Sequence, residues 1–227
     1  MKLRVATEIG LDEPNAGAGF VTWLDIDVLA DAEDREEQEG DDDEQEGDGD
    51  EQDEPEDEEE GEEEDEPIGR ARVAIIHVNE ALDHGENLVE VLDADSGELE
   101  ALSGVYFEDG ILLPKFAEDA IGANVLYIAD VFIDEEWRRR NVDFALVRRL
   151  CDTLGAGCAL AVLPYETEAE EEQWGRMGFQ ITEPAAKGGG YMHLPLGLRN
   201  PRVVDREHTG RFRVVPNPSP TGRRKHH

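Results

Sequence analysis

The chain has 227 residues, 57 acidic against 21 basic, and a formal net charge of −36. That length allows one or two domains, and two cysteines are too few for a disulfide framework or a zinc cluster. No apolar run approaches the ~18 residues of a membrane span, and the opening MKLRVATEIGLDEPNAG lacks a signal-peptide core, so a soluble, cytoplasmic protein with reduced thiols is expected.

In chain order, Lys2–Ile9 and Phe20–Leu29 have strand character and are divided by the turn-rich DEPNAGAG at 12–19. They predict a hairpin with a long loop. Residues 31–66 follow with 26 Asp or Glu, one Arg and no apolar side chain larger than Ala, a net of −25. Such a segment buries too little apolar surface to offset the entropy of ordering, and a disordered acidic insertion is expected. It reads as a solvating loop, as a lure for basic proteins, or as a partner for the chain's own basic end, Arg223-Arg224-Lys225-His226-His227. Salt would weaken the last contact strongly.

Gly69–Val78 reads as a strand. Leu88–Leu92 and Leu99–Tyr106, on either side of Asp-Ala-Asp-Ser-Gly, read as a broken helical region in which Ser96 caps the second piece. Ile111–Phe116 and Lys187–Gly190 read as loops flanking a groove. Leu126–Ile133 alternates and is rich in Val, Ile, Phe and Tyr, so it predicts a largely buried strand. A helix follows, with Val142, Leu146, Leu150 and Leu154 every four residues, widened by Ala145, Val147 and Cys151 and stopped by Gly155 and Gly157. Cys158–Leu163 is a second strand, ended by Pro164, so a right-handed strand–helix–strand crossover is expected. Cys151 and Cys158 read as buried free thiols. His77, and His193 in the last strand, read as histidines satisfied within a sheet. Residues 199–227 carry eight basic and two acidic residues and read as a basic disordered tail. There is no Walker-type loop, zinc pattern or nucleophile elbow, and no metal site is expected.

The arginine-bearing turn before the helix, Arg138-Arg139-Arg140-Asn141, stands where free backbone N–H groups face an anion. Here the stretch LYIADVFIDEEWRRRNVDFALVRRLCDTL (126–154) resembles the cofactor-binding core of the GNAT superfamily of acyl-CoA-dependent N-acyltransferases. The family's Q/R-x-x-G-x-G/A aligns with Arg138-Arg139-Arg140-Asn141-Val142-Asp143. EEEQWGRMGFQI (170–181) resembles its helix closing on Y-x-x-x-G-F and the strand beyond, and YMHLPL (191–196) its last strand. The resemblance covers about residues 68–198, with Lys2–Ile9 as a first strand.

The resemblance implies an α/β (α+β) fold, one mixed central sheet flanked by helices. Residues 1–30 would give its first strand or strands, 31–66 a disordered insertion, 67–198 the core and 199–227 the tail. It implies transfer of an acetyl group from acetyl-CoA to an amine. Val131, Phe132 and Ile133 would pair with the pantetheine arm. Arg138, Arg139, Arg140, Asn141, Val142 and Asp143 would hold the pyrophosphate, and catalysis would be mainly positioning beside a polarised carbonyl. Asp130 is a candidate base. Trp174 stands where many members carry an acidic tyrosine, and Tyr165 is a candidate replacement. The acidic surface would steer a cationic acceptor such as a polyamine, an aminoglycoside or a lysine-rich protein.

Besides Trp174, two positions of the motif depart from the family. Asn141 and Asp143 replace small residues, and like charges at ~4 Å repel by about 1 kcal/mol in water and about 4 at a surface-like dielectric. The three arginines would offset this, or would form a solvated helix start paired to Glu135 and Glu136. Trp174 also reads as a core or groove aromatic. The rival reading is a catalytically degenerate GNAT-fold binding module whose residues 31–66 hold basic protein partners. No membrane contact is expected, and no direct nucleic-acid binding by the core.

Overall fold

The computed structural model describes residues 1–6, 19–30, 67–118, 120, 122–182, 189–197, 200–206 and 209–216. The acidic tract 31–66 and the basic end 217–227 lie outside the described residues, as do Lys187 and Gly188.

Strand β1 (Lys2–Ala6) pairs antiparallel with β2 (Val21–Leu29), and β2 with β3 (Pro67–Ile76). β2 and β3 alternate buried and open residues, because Leu24, Ile26 and Val28 enter one face and Trp23, Asp25 and Asp27 the other. The register pairs Leu29 with Pro67, so the strands that flank the acidic tract meet across one ladder.

Three helices follow β3: α1 (Val78–His84), α2 (Leu88–Asp95) and α3 (Gly97–Tyr106). The broken helical reading of this region holds, and Ser96 accepts from the Leu99 N–H as its cap. The segment from Ile111, expected to be a loop, begins as a strand. β4 (Phe107–Glu108) and β5 (Ile111–Leu112) form a small hairpin through Asp109 and Gly110, both at positive φ. Asp-Gly supplies that pair of left-handed residues at low steric cost. The short helix α4 (Pro114–Ala117) follows.

β6 (Asn124–Ile133) pairs antiparallel with β3 on one side and parallel with β7 (Cys158–Tyr165) on the other. Between them run the turn helix α5 (Glu135–Arg138) and α6 (Val142–Thr153). β7 continues through Pro164 rather than ending before it. Beyond Val162 it has a strand partner on one side only, where a residue without an N–H is tolerated. Then come α7 (Glu168–Gly175), β8 (Gln180–Ile181) and β9 (Gly190–Pro195). Thr167 and Glu170 start α7 with a reciprocal capping box.

The result is a mixed α/β architecture: one seven-stranded sheet, ordered β1-β2-β3-β6-β7-β9-β8, with helices on both faces. α6 and α7 bury Phe144, Leu146, Leu150 and Trp174 on one face; α1–α3 bury Leu88, Leu92, Leu102 and Tyr106 on the other.

The expectation of an unstructured tail over 199–227 is corrected for its first half; 217–227 lie outside the described residues. β10 (Arg202–Asp205) and β11 (Phe212–Val215) form an antiparallel hairpin. Val203, Phe212 and Val214 pack on the α6 side of the core, and this apolar contact orders a segment whose charge alone suggested disorder.

A splayed cleft beside the arginine turn

β6 and β7 are paired only from Asn124 to Tyr127 and from Cys158 to Val162. β6 then runs six residues further and β7 three, without pairing to each other. A bulge helps to part them: opposite β3, Arg72 faces Asp130 and Val73 faces Ile128, so Ala129 is an extra residue that re-aims the strand. The strands open into a cleft of about 390 Å³. One wall is β6 from Ile128 onward, whose backbone edge towards β7 has no strand partner among the described residues. The other is Leu163–Glu166 with Glu170, Gln173 and Trp174 of α7.

The candidate site residues distribute unevenly. Asp130, Val131, Ile133, Arg138, Asp143 and Tyr165 all line the cleft. Phe132 does not: it is 45% exposed, under the Arg70 guanidinium at 5.7 Å. Val142 is buried in the core. Of the three arginines, Arg138 alone reaches the cleft, anchored by a 3.1 Å hydrogen bond from its Nη2 to the Ile133 carbonyl. Arg139 faces solvent and pairs with Glu135 at 2.9 Å, as the solvated-turn alternative expects for that residue. Arg140 stacks on Trp137 at 4.6 Å.

Asn141 takes φ +58°, ψ +37°, the left-handed geometry at the helix start. Its Nδ2 donates to the Phe212 carbonyl at 2.8 Å, and the Phe212 N–H donates to the Arg140 carbonyl at 2.8 Å. The C-terminal hairpin therefore holds the arginine turn from behind.

Asp143 lies in the first turn of α6 and is 6% exposed. Its Oδ2 accepts from the Gln173 side chain, and its Oδ1 is buried with no hydrogen-bond partner among the described residues. Burial pushes its carboxyl above the usual carboxylate range, against the Phe144 N–H, Arg138 and Gln173, which favour the charged form. The helix start thus carries its own carboxylate where free N–H groups would face an external anion. With Asp130, Glu166 and Glu170 on the other walls, the cleft lining holds four acidic residues and one basic residue.

Gln173, Glu166 and Glu170 escaped the sequence reasoning. Glu170 is oriented by its cap role, accepting from the Glu166 and Thr167 N–H groups at 2.7 and 3.0 Å. The Thr-x-x-Glu pattern carried that signal; nothing in the sequence marked Gln173 as the partner of Asp143.

Trp174 is a core aromatic at the cleft wall, 8% exposed and edge-on to Phe144 at 6.0 Å. His77 and Thr22 Oγ1 share a 3.0 Å hydrogen bond. His193 Nδ1 joins Thr182 Oγ1 at 2.7 Å, which joins the Tyr106 hydroxyl at 2.6 Å. Burial and Lys115 lower the His193 pKa. Both cysteines are free and buried, and burial pushes the thiols up to about 12 for Cys151 and about 11 for Cys158, away from thiolate chemistry. No cluster able to hold a metal ion occurs among the described residues. No helix among them is long and apolar enough to cross a membrane.

The chain matches no protein-family model and no curated protein.

Proposed function

We propose that the chain is an acyl-CoA-dependent N-acyltransferase of the GNAT type, with its cofactor arm in the β6/β7 cleft and an amine as acceptor. One observation carries this reading: two parallel strands that part beside a bulge, leaving an unpaired backbone edge next to a helix start. An amide-bearing arm is the ligand such an edge can extend by strand-like pairing. Supporting it, β6 is the fourth strand of the sheet in chain order, and the turn aligned with the family's motif follows it. The three helices α1–α3 come after the third strand, so their order relative to the strands stays shifted from the family's.

The cleft walls fit an arm; the turn fits a pyrophosphate less well, because Asp143 occupies it. Val131 and Ile133 would hold the arm through backbone groups, and Arg138 would face the phosphates. Acetyl-CoA, when bound, supplies an acyl carbon activated by a thiolate leaving group. Asp130 would take the proton of the attacking amine as the new C–N bond forms, and the Tyr165 hydroxyl would give one to the departing sulfur. Oriented reactants supply most of the remaining advantage.

The second reading is a degenerate module of the same frame that has lost the cofactor and binds basic partners through residues 31–66. The buried Asp143 carboxylate favours it. Calorimetric titration of acetyl-CoA into the wild type, Arg138→Ala and Asp143→Gly separates the two. The enzyme reading expects micromolar binding by the wild type, weakened about tenfold in Arg138→Ala, the order of one charge-assisted hydrogen bond. Binding by Asp143→Gly alone, at every pH tried, would favour the module.

A further inference from the structure

The cleft continues past Asp143. A second cavity of about 350 Å³ lies between α6 and α7, with Asn141, Phe144, Glu172 and Arg176 in its walls. Arg138, Asp143 and Gln173 line both cavities. The two cavities adjoin at these residues, and the Gln173–Asp143 hydrogen bond from α7 to α6 forms the waist between them.

A ligand that reaches from one cavity into the other meets that crossing. A phosphate arriving there meets one carboxylate oxygen engaged by Gln173 and a second, Oδ1, that is buried without a hydrogen-bond partner among the described residues. An ionised carboxylate offers a phosphate only acceptors and repulsion; a carboxylic acid offers an O–H donor. Gln173 has no titratable group, so Asp143 is the member of the pair whose chemistry can change.

We propose that the groove accepts a phosphate-bearing ligand only with the Asp143 carboxyl protonated, so that binding of acyl-CoA draws one proton from solution. The inference rests on the acyl-CoA reading and names the residue that controls it. The groups around Asp143 agree. Gln173 of α7 donates to the carboxyl, and Arg138 of α5 and the Phe144 N–H of α6 favour its charged form. Asp130 of β6, Glu166 after β7, and Glu170 and Glu172 of α7 add negative charge to the groove, and Arg176, the residue after α7, is a second cation beyond the waist. Burial already moves the carboxyl towards its neutral form. A ligand phosphate moves it further, because a second anion beside an acid favours the acid's protonated state.

The test is calorimetric titration of acetyl-CoA in two buffers of different ionisation heat, over a range of pH, with wild type, Asp143→Asn and Gln173→Ala. The wild type is expected to take up about one proton more than Asp143→Asn, and its affinity to rise by up to about tenfold for each pH unit lowered, beyond the ligand's own phosphate titration. Asp143→Asn should bind more tightly at neutral pH with that extra slope gone. Gln173→Ala should keep the proton uptake and bind more tightly, because the waist is no longer strapped. Pantetheine, which has no phosphate, should show no uptake. Equal uptake in wild type and Asp143→Asn overturns the inference and leaves the acyl-CoA reading standing. Absence of binding in every variant at every pH overturns both.

Discussion

Asp143 also sets a pH signature on stability that needs no ligand. Its folded-state carboxyl is raised above the unfolded value, so between the two values the folded chain binds more protons than the unfolded one. Its contribution to stability is therefore best at low pH and is lost as pH rises through the folded value. Asp143→Asn is expected to raise the unfolding midpoint at neutral pH, with the gain shrinking as pH falls through the folded value towards the usual carboxylate range. Thermal melts of the two proteins over pH check this, and a constant difference between them would refute it. At this scale the sequence was only partly legible. The positions of Asp143 and Asn141 at a helix start followed from the spacing of Val142, Leu146 and Leu150. Which arginine faces the cleft did not follow, because Arg139 and Arg140 are turned away by Glu135 and Trp137, contacts fixed by how the short α5 turn meets α6.

Among the elements, the C-terminal hairpin β10–β11 has the largest role that composition concealed. It contributes Val203, Phe212 and Val214 to the core edge and two 2.8 Å hydrogen bonds to the arginine turn. A chain ended at residue 199 should melt several degrees below one ended at 216, since a chain of this size shifts by roughly 2–4 °C per kcal/mol. Equal midpoints would show that the hairpin does not support the turn. The basic count over 199–227 masked the alternating Val and Phe that pair there. The β4–β5 hairpin was legible in principle, because Asp109-Gly110 is a strong two-residue turn signal, but only two residues flank it on each side and no alternation announces them. Long elements with clear periods, β6 and α6, were read with nearly their observed bounds.

On the scale of the whole molecule, one sheet unites residues on both sides of the acidic tract, which is why the tract reads as an insertion and not a boundary between domains. Loop-closure entropy grows slowly with length, so replacing 31–66 by a four-residue turn should stabilise the fold by about 2 kcal/mol. Removing a net −25 would lessen self-repulsion as well. Chemical denaturation of the shortened chain reads this, and a less stable product would mean that the tract contributes to the fold. The pairing of Leu29 with Pro67 also fixes how force enters. The residues on either side of the tract stand at the same end of one antiparallel ladder, so anything that grips the tract and pulls loads β2 and β3 like the two halves of a zipper. The pairs would part singly from Leu29 inwards, long before the tension reached the strands that form the cleft.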